Sequence, residues 1–331
     1  MAGKLFRLFL LLLVLAVGLA GGAAYWGFTK FHEPGSAAAP TTLVIDQGMG
    51  VQAIADKLAA AGVIRSPLIF AAGARVYAEG RPLQAGEYEF PARSSMRQVM
   101  QQMIDGATIV RRLTIPEGLT SAEIVALVAA APGLEGALPS AVPADGTLLP
   151  ETYFYSKGDT RAQILARMEK AMADTLAELW AARDEAVTLK TPEEAVTLAS
   201  IVEKETGVAA ERPRVASVFF NRLDRGMPLQ SDPTVIYALT DGKAPLNRSL
   251  TRADLQLADP YNTYGNAGLP PGPIANPGRA SLAAVLHPDS TKDLYFVADG
   301  TGGHAFAETL EEHNRNVAAW RKLQNQQTQS Q

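Results

Sequence analysis

The hydrophobic pattern opens with one unbroken stretch. Leu8 to Thr29 carries no charge, is mostly apolar and is long enough to cross a bilayer. Lys4 and Arg7 precede it, and no acidic residue occurs before Glu33, so the positive-inside bias directs the bulk of the chain outward. Small residues at Ala20, Gly21, Gly22 and Ala23 would suit signal-peptide cleavage. The run continues past them to Tyr25, Trp26 and Phe28, an interfacial aromatic belt, which favours an uncleaved anchor. Glu33 to Pro40 then reads as a Pro/Gly/Ala/Ser linker.

Beyond the linker the periods are short and mixed, and the expected fold class is α+β. Thr42–Ile45 suits a strand. Val51, Ile54 and Leu58 mark an amphipathic helix stopped by Gly62, and Ser66 and Pro67 open a second helix through Phe70. Gly86–Phe90 alternates as a strand. Ser95 and Gln98 cap a helix bearing Val99, Met103 and Ile104. An internal repeat at an offset of 70 aligns Ile45, Gly48, Ile54 and Leu58 with Ile115, Gly118, Ile124 and Val128, each copy reading strand, Gly turn, helix. Residues 129–147 are loop-like, and residues 161–187 form a long helical stretch. Two further helices are expected, over Thr191–Thr206 and Val215–Arg225. Residues 260–278 are rich in Pro, Gly and Asn, a length unusual for a loop unless it builds a site. Leu294–Ala298 and His304–Phe306 make a hairpin around the turn at 299–303, and residues 323–331 form a polar, disordered tail.

Composition narrows the chemistry. The formal charge of −4 argues against nucleic acid as a partner. The absence of cysteine excludes disulfides, thiol catalysis and lipoprotein acylation. Four scattered histidines give no metal-binding spacing, so neither a metal nor a cofactor is expected.

The 191–206 helix carries the sharpest signal. Thr191, Pro192 and Glu194 form an N-terminal T-x-x-E signature. Leu198, Ile201 and Val202 lie on one stripe, and Glu205 joins it at i+7 from Leu198, while Glu203 points towards Ala199 and Ser200. A carboxyl group on a core-facing stripe is costly to ionise, so its pKa should rise, which suits general acid catalysis. The competing reading is a helix-end carboxylate paired with Lys204 or Arg212.

Downstream lie Asn221, Arg222, Gln230, Ser231, Asp232, Tyr237, Tyr261, Asn262, Tyr264 and Asn276. Amides, aromatics and a few charges in a Pro/Gly frame suit a carbohydrate cleft. Taken singly, Asn262 and Asn276 are ordinary turn residues, Asp232 before Pro233 is a helix start, and Arg222 can pair with Asp224. Glycoside hydrolases use two carboxylates, and Glu203 and Glu205 face different directions. Either Asp232 is the second carboxylate, or one carboxyl suffices because a substrate hydroxyl attacks C1 and closes a 1,6-anhydro ring.

Ala199–Thr206, Val215–Phe219 with Asn221-Arg222-Leu223, Leu229–Tyr237, Tyr261–Tyr264, Gly268–Ile274, Leu294–Ala298 and His304 with Phe306 together resemble the YceG-like endolytic murein transglycosylases. The resemblance is ordered from about Leu149 to Asn316 and weaker over 42–114. It implies an anchor (1–30), a linker (31–40), a LysM-like α/β module (41–114), a mixed α+β catalytic domain (115–322) and a tail (323–331). It implies Glu205 as the single catalytic residue, with Glu203 the fallback. The implied substrate is the glycan strand of peptidoglycan, cut at the MurNAc–GlcNAc β-1,4 bond with a 1,6-anhydro end, on nascent strands beside synthases and so ending elongation. The implied location is the outer, periplasmic side of the cell membrane. A glycan-binding scaffold for synthases and a muramidase-type hydrolase using Asp232 are the alternatives.

Overall fold

The computed structural model describes residues 2–329. It divides into two compact units, one comprising the chain up to Arg111 with residues 156–158, the other Arg112–Tyr155 with residues 159 onward.

The first unit contains helix α1 (Ala2–His32), strand β1 (Thr41–Ile45), helices α2 (Val51–Ala60) and α3 (Pro67–Tyr77), strand β2 (Gly86–Phe90) and helix α4 (Met96–Ile104). β1 and β2 pair antiparallel, with Thr41 opposite Phe90 and Ile45 opposite Gly86. The apolar positions that set the sequence periods meet in one core of Ile45, Ile54, Leu58, Phe70, Tyr88 and Val99. Ser66 caps α3 by accepting from the Ile69 N–H, and Ser95 and Gln98 form a reciprocal capping box on α4. α3 runs two turns beyond the expected Phe70, because Ala71, Ala72 and Ala74 are strong helix formers and outweigh the cost of about 1 kcal/mol at Gly73.

The end of α1 is built into this unit. Phe31 is only 1% exposed and stacks on Tyr77 at 5.5 Å. A Cβ at Gly73 would lie 2.3 Å from the Phe31 ring, so glycine is what lets the two helices approach. The stretch expected as a linker is also held, since the Gly35 N–H donates to the Arg93 carbonyl (3.0 Å) and the Arg93 N–H to that of Ala37 (2.9 Å).

The second unit contains all but the first residue of strand β3 (Arg111–Thr114), helix α5 (Ser121–Ala130), strand β4 (Thr152–Tyr155), helices α6 (Arg161–Ala181), α7 (Pro192–Glu205), α8 (Arg212–Asp224), α9 (Asp232–Thr240) and α10 (Arg279–Leu286), strands β5 (Tyr295–Ala298) and β6 (His304–Ala307), and helix α11 (Leu310–Gln329). β3 pairs with β4, and β5 with β6 antiparallel, Phe296 facing Phe306. The repeat extends to geometry. Gly48 and Gly118 both adopt positive φ (80° and 77°), and all six flanking apolar residues are buried.

α7 is the central post. Every residue from Ala195 to Val202 is buried, packed against α6, α8 and α10. It is therefore buried on all sides, not along one stripe, and Glu203 is enclosed as well. Residues 310–329, including most of the expected disordered tail, are helical, as a Gly- and Pro-free segment permits; residues 330–331 lie outside the described residues.

The Pro/Gly-rich segment 260–278 is fixed by side chains rather than by a sheet. Asn276 is fully buried; its Oδ1 accepts from the Leu148 N–H (2.9 Å), and its Nδ2 donates to the Leu119 carbonyl and the Ser121 hydroxyl (3.1 Å each). Replacing Asn276 by Ala leaves these buried groups unpaired. We expect a loss of about 2–4 kcal/mol, read as a lower midpoint in chemical denaturation, and an unchanged midpoint would contradict this role.

Candidate active site

Glu205 is the last residue of α7, where the negative end of the helix dipole already disfavours a carboxylate. Burial pushes its pKa up to about 6, with the Asp232 charge acting in the same direction and the Ser231 hydrogen bond, His304 and Arg222 opposing. The Ser231 hydroxyl donates to Glu205 Oε1 at 2.5 Å.

Ser231 reaches Glu205 because its backbone is pinned. Its N–H donates to Thr263 Oγ1 (3.0 Å), and the Gln230 N–H donates to the Thr263 carbonyl (3.0 Å). Gln230 adopts φ 52°, a left-handed conformation uncommon for a residue with a side chain and frequent at functional sites. Ser231 occupies the N-cap of α9 yet makes no side-chain cap, its hydroxyl being committed to Glu205. Gln230 and Asp232 on either side are exposed.

Glu203 has the opposite environment. Its carboxylate pairs with Arg212 at 3.1 Å and accepts from the Gly278 N–H at 2.9 Å. Arg212 also reaches Glu117 at 3.3 Å. The cation that the competing reading offered to Glu205 is thus spent on Glu203, and Lys204 donates to the Gly118 carbonyl (3.2 Å). Thr191 caps α7 as expected, but Glu194 accepts from the Lys190 N–H in place of Thr191, so the box is open.

A cavity of about 360 Å³ opens on Glu205. Arg222, Gln230, Asp232 and Tyr264 line it with Tyr295 and His313. The Tyr264 hydroxyl donates to Asp232 Oδ1 at 2.6 Å, and burial together with that bond raises its pKa. Arg222 stiffens the floor, donating to the Leu294 and Leu229 carbonyls at 2.7 Å each.

The remaining expected residues lie outside this lining. Asn221 donates to the Thr291 and Asp293 carbonyls (3.1 and 2.9 Å). Asn262 donates to those of Leu255 and Leu257 (3.1 and 2.8 Å). Tyr237 donates to Asp145 Oδ2 (2.7 Å), and its ring lies 4.8 Å from that of Tyr261. Arg222 contacts carbonyls, not Asp224.

Tyr295 and His313 are additions that the sequence reading missed. Their rings stack at 5.1 Å, and burial, with the nearby Arg222 charge, holds His313 below the usual histidine range. The one available signal was the i, i+3 pairing of Leu310 with His313, with residues 311–316 otherwise polar. His304 lies 2.7 Å from Glu211. Among the described residues no cluster of three or more His, Asp or Glu could hold a metal ion.

The two glutamates of α7 should respond oppositely to removal. A raised folded-state pKa favours folding fully below about pH 4.5 and loses that contribution as pH rises through about 6. Glu205→Gln should therefore match wild type at pH 4 and exceed it by about 2 kcal/mol at pH 8 in denaturant titrations. Glu203→Ala leaves Arg212 buried beside only the half-exposed Glu117, and should cost about 3–5 kcal/mol at neutral pH. Equal responses in the two variants would refute this assignment of environments.

The model of the YceG-like family matches residues 43–319. An endolytic murein transglycosylase of Bacillus subtilis is 33% identical over 329 residues, covering 90% of this chain and 89% of that protein. Its namesake from Streptococcus pneumoniae strain D39 is 32% identical over 84% of this chain and 58% of its own length. A crystal structure of a YceG-like protein from Listeria monocytogenes is 32% identical, with a TM-score of 0.52 over 83% of this chain and 98% of that one. With a family match spanning most of its length and a relative 33% identical over about nine-tenths of both chains, the chain belongs to the YceG-like family.

Proposed function

We propose that the chain is an endolytic peptidoglycan lytic transglycosylase with Glu205 as its single acid–base group. The observation that carries this reading is a carboxyl group lining a polar, aromatic-walled cavity, desolvated enough to hold its proton up to about pH 6. The protonated carboxyl gives its proton to the glycosidic oxygen as the C1–O4 bond breaks. The resulting carboxylate then takes the proton from the 6-hydroxyl as that oxygen bonds to C1, which leaves a 1,6-anhydro-MurNAc end and consumes no water. Ser231, bonded to Oε1, keeps Oε2 as the oxygen that carries the proton.

The N-terminal helix, long and apolar enough to span a membrane, supports a single-pass anchor with both units outside, on the periplasmic side. The strand–helix–helix–strand order of the first unit, with its strands antiparallel, supports the LysM-like reading. Nascent glycan beside peptidoglycan synthases is the substrate that such an anchored enzyme would meet, and cutting there would end strand elongation.

Asp232 borders the same cavity and is the residue through which a muramidase-type hydrolase would work. The terminus of the product separates the readings. On purified sacculi we expect anhydro-ended muropeptides from wild type, and a drop of about 10²–10⁴-fold for Glu205→Gln. Products one water heavier, with reducing ends, would favour hydrolysis. Full complementation in cells by the Gln variant would favour a glycan-binding scaffold. The rate with wild type should fall as pH rises through about 6, because the proton to be donated is lost.

A further inference from the structure

α3 presents two faces of different fate. Phe70, Ala71, Gly73 and Ala74 are buried in the first unit, whereas Leu68, Ala72 and Val76, spaced i, i+4, i+8, form an exposed stripe. Leu68 and Val76 are 76% and 68% exposed. Isolated exposed apolar residues are ordinary, but these continue another apolar surface. A groove of about 520 Å³ runs between α3 and the last turns of α1, lined by Ala23, Trp26 and Gly27 on one side and by Leu68, Ala72 and Val76 on the other.

The depth of that groove follows from helix geometry. The apolar run from Leu8 spans a hydrocarbon core of about 30 Å in about 20 residues, at about 1.5 Å per residue. Tyr25, Trp26 and Phe28, all exposed, therefore fall at the interface, which is the level of the groove. The two helices cannot swing apart freely. Phe31 fills the space over Gly73, and Arg97 on α4 meets the His32 ring at 3.0 Å.

We propose that the Leu68–Ala72–Val76 face of α3 is a second membrane contact, embedded in the outer interface of the lipid bilayer beside the exit of α1, with acyl chains filling the groove. Bilayer lipid is the occupant because the stripe is continuous with the membrane-spanning surface and fixed at its level. Arg75, exposed next to Val76, suits the phosphate layer. The inference rests on α1 being a membrane anchor, and goes beyond it in giving the first unit a fixed height and tilt on the membrane.

The chain has no cysteine, so single introduced cysteines can be spin-labelled without background. Full-length Leu68→Cys, Val76→Cys, Leu12→Cys and Glu169→Cys would be labelled in nanodiscs of phosphatidylcholine and phosphatidylglycerol, and collision with oxygen compared with collision with a water-soluble nickel chelate. All four positions are exposed, so the labels should not disturb folding. We expect the oxygen-to-nickel ratio at positions 68 and 76 to exceed that at 169 severalfold and to approach that at 12. A lipid signature at 12 with an aqueous one at 68 and 76 overturns the second contact and leaves the anchor intact. An aqueous signature at 12 overturns the anchor and the inference together.

Discussion

The buried ion pair between Glu203 and Arg212 is the constraint on which the site depends. Two carboxyl groups close α7 within one turn, in a part of the core with little water to solvate either. Arg212 and the Gly278 N–H satisfy the first. Among the described residues no cation is bonded to the second, whose hydrogen-bond partner is a serine hydroxyl. The same low dielectric that makes one pairing strong makes the other carboxyl hold its proton. The pair thus engages Arg212 on Glu203 rather than on Glu205, and in binding Gly278 it also fastens the far end of the Pro/Gly-rich segment.

Much of this was legible in the sequence, and the residues show why. Wherever a capping residue met a regular apolar period the elements began where expected, as at Ser95 and Thr191. The line-up of Glu205 with Leu198 came from helical spacing alone. What that spacing misjudged was its neighbour. A stripe argument assumes one wet face, and α7 has none along most of its length, so Glu203 was enclosed too. Partnering is a tertiary property, and nothing local to Glu203 indicates that Arg212 and Gly278 converge on it.

The cluster of polar residues was harder to sort, for a related reason. An asparagine that holds a turn and one that faces a ligand look the same in a chain without partners. Asn221, Asn262 and Asn276 all direct their amides inward to carbonyls and loops. Tyr295 and His313 enter the cavity from β5 and α11, elements read only for their fold. The short helix α10 and strand β4 carried too few periodic positions to register at all, although α10 packs directly on α7.

The segment 260–278 is tied to α7 at two points one turn apart, by the Ile274 N–H on the Ser200 hydroxyl (3.0 Å) and the Gly278 N–H on Glu203. Through Thr263 it also holds the backbone that aims Ser231. The Glu205 carboxyl, the aiming hydroxyl and the surrounding wall are therefore one preorganised body rather than a lid over a base. On the proposed reading a glycan strand would meet a finished surface at this cavity, so its binding energy would not be drawn down by ordering the protein and would remain available for distorting the sugar ring.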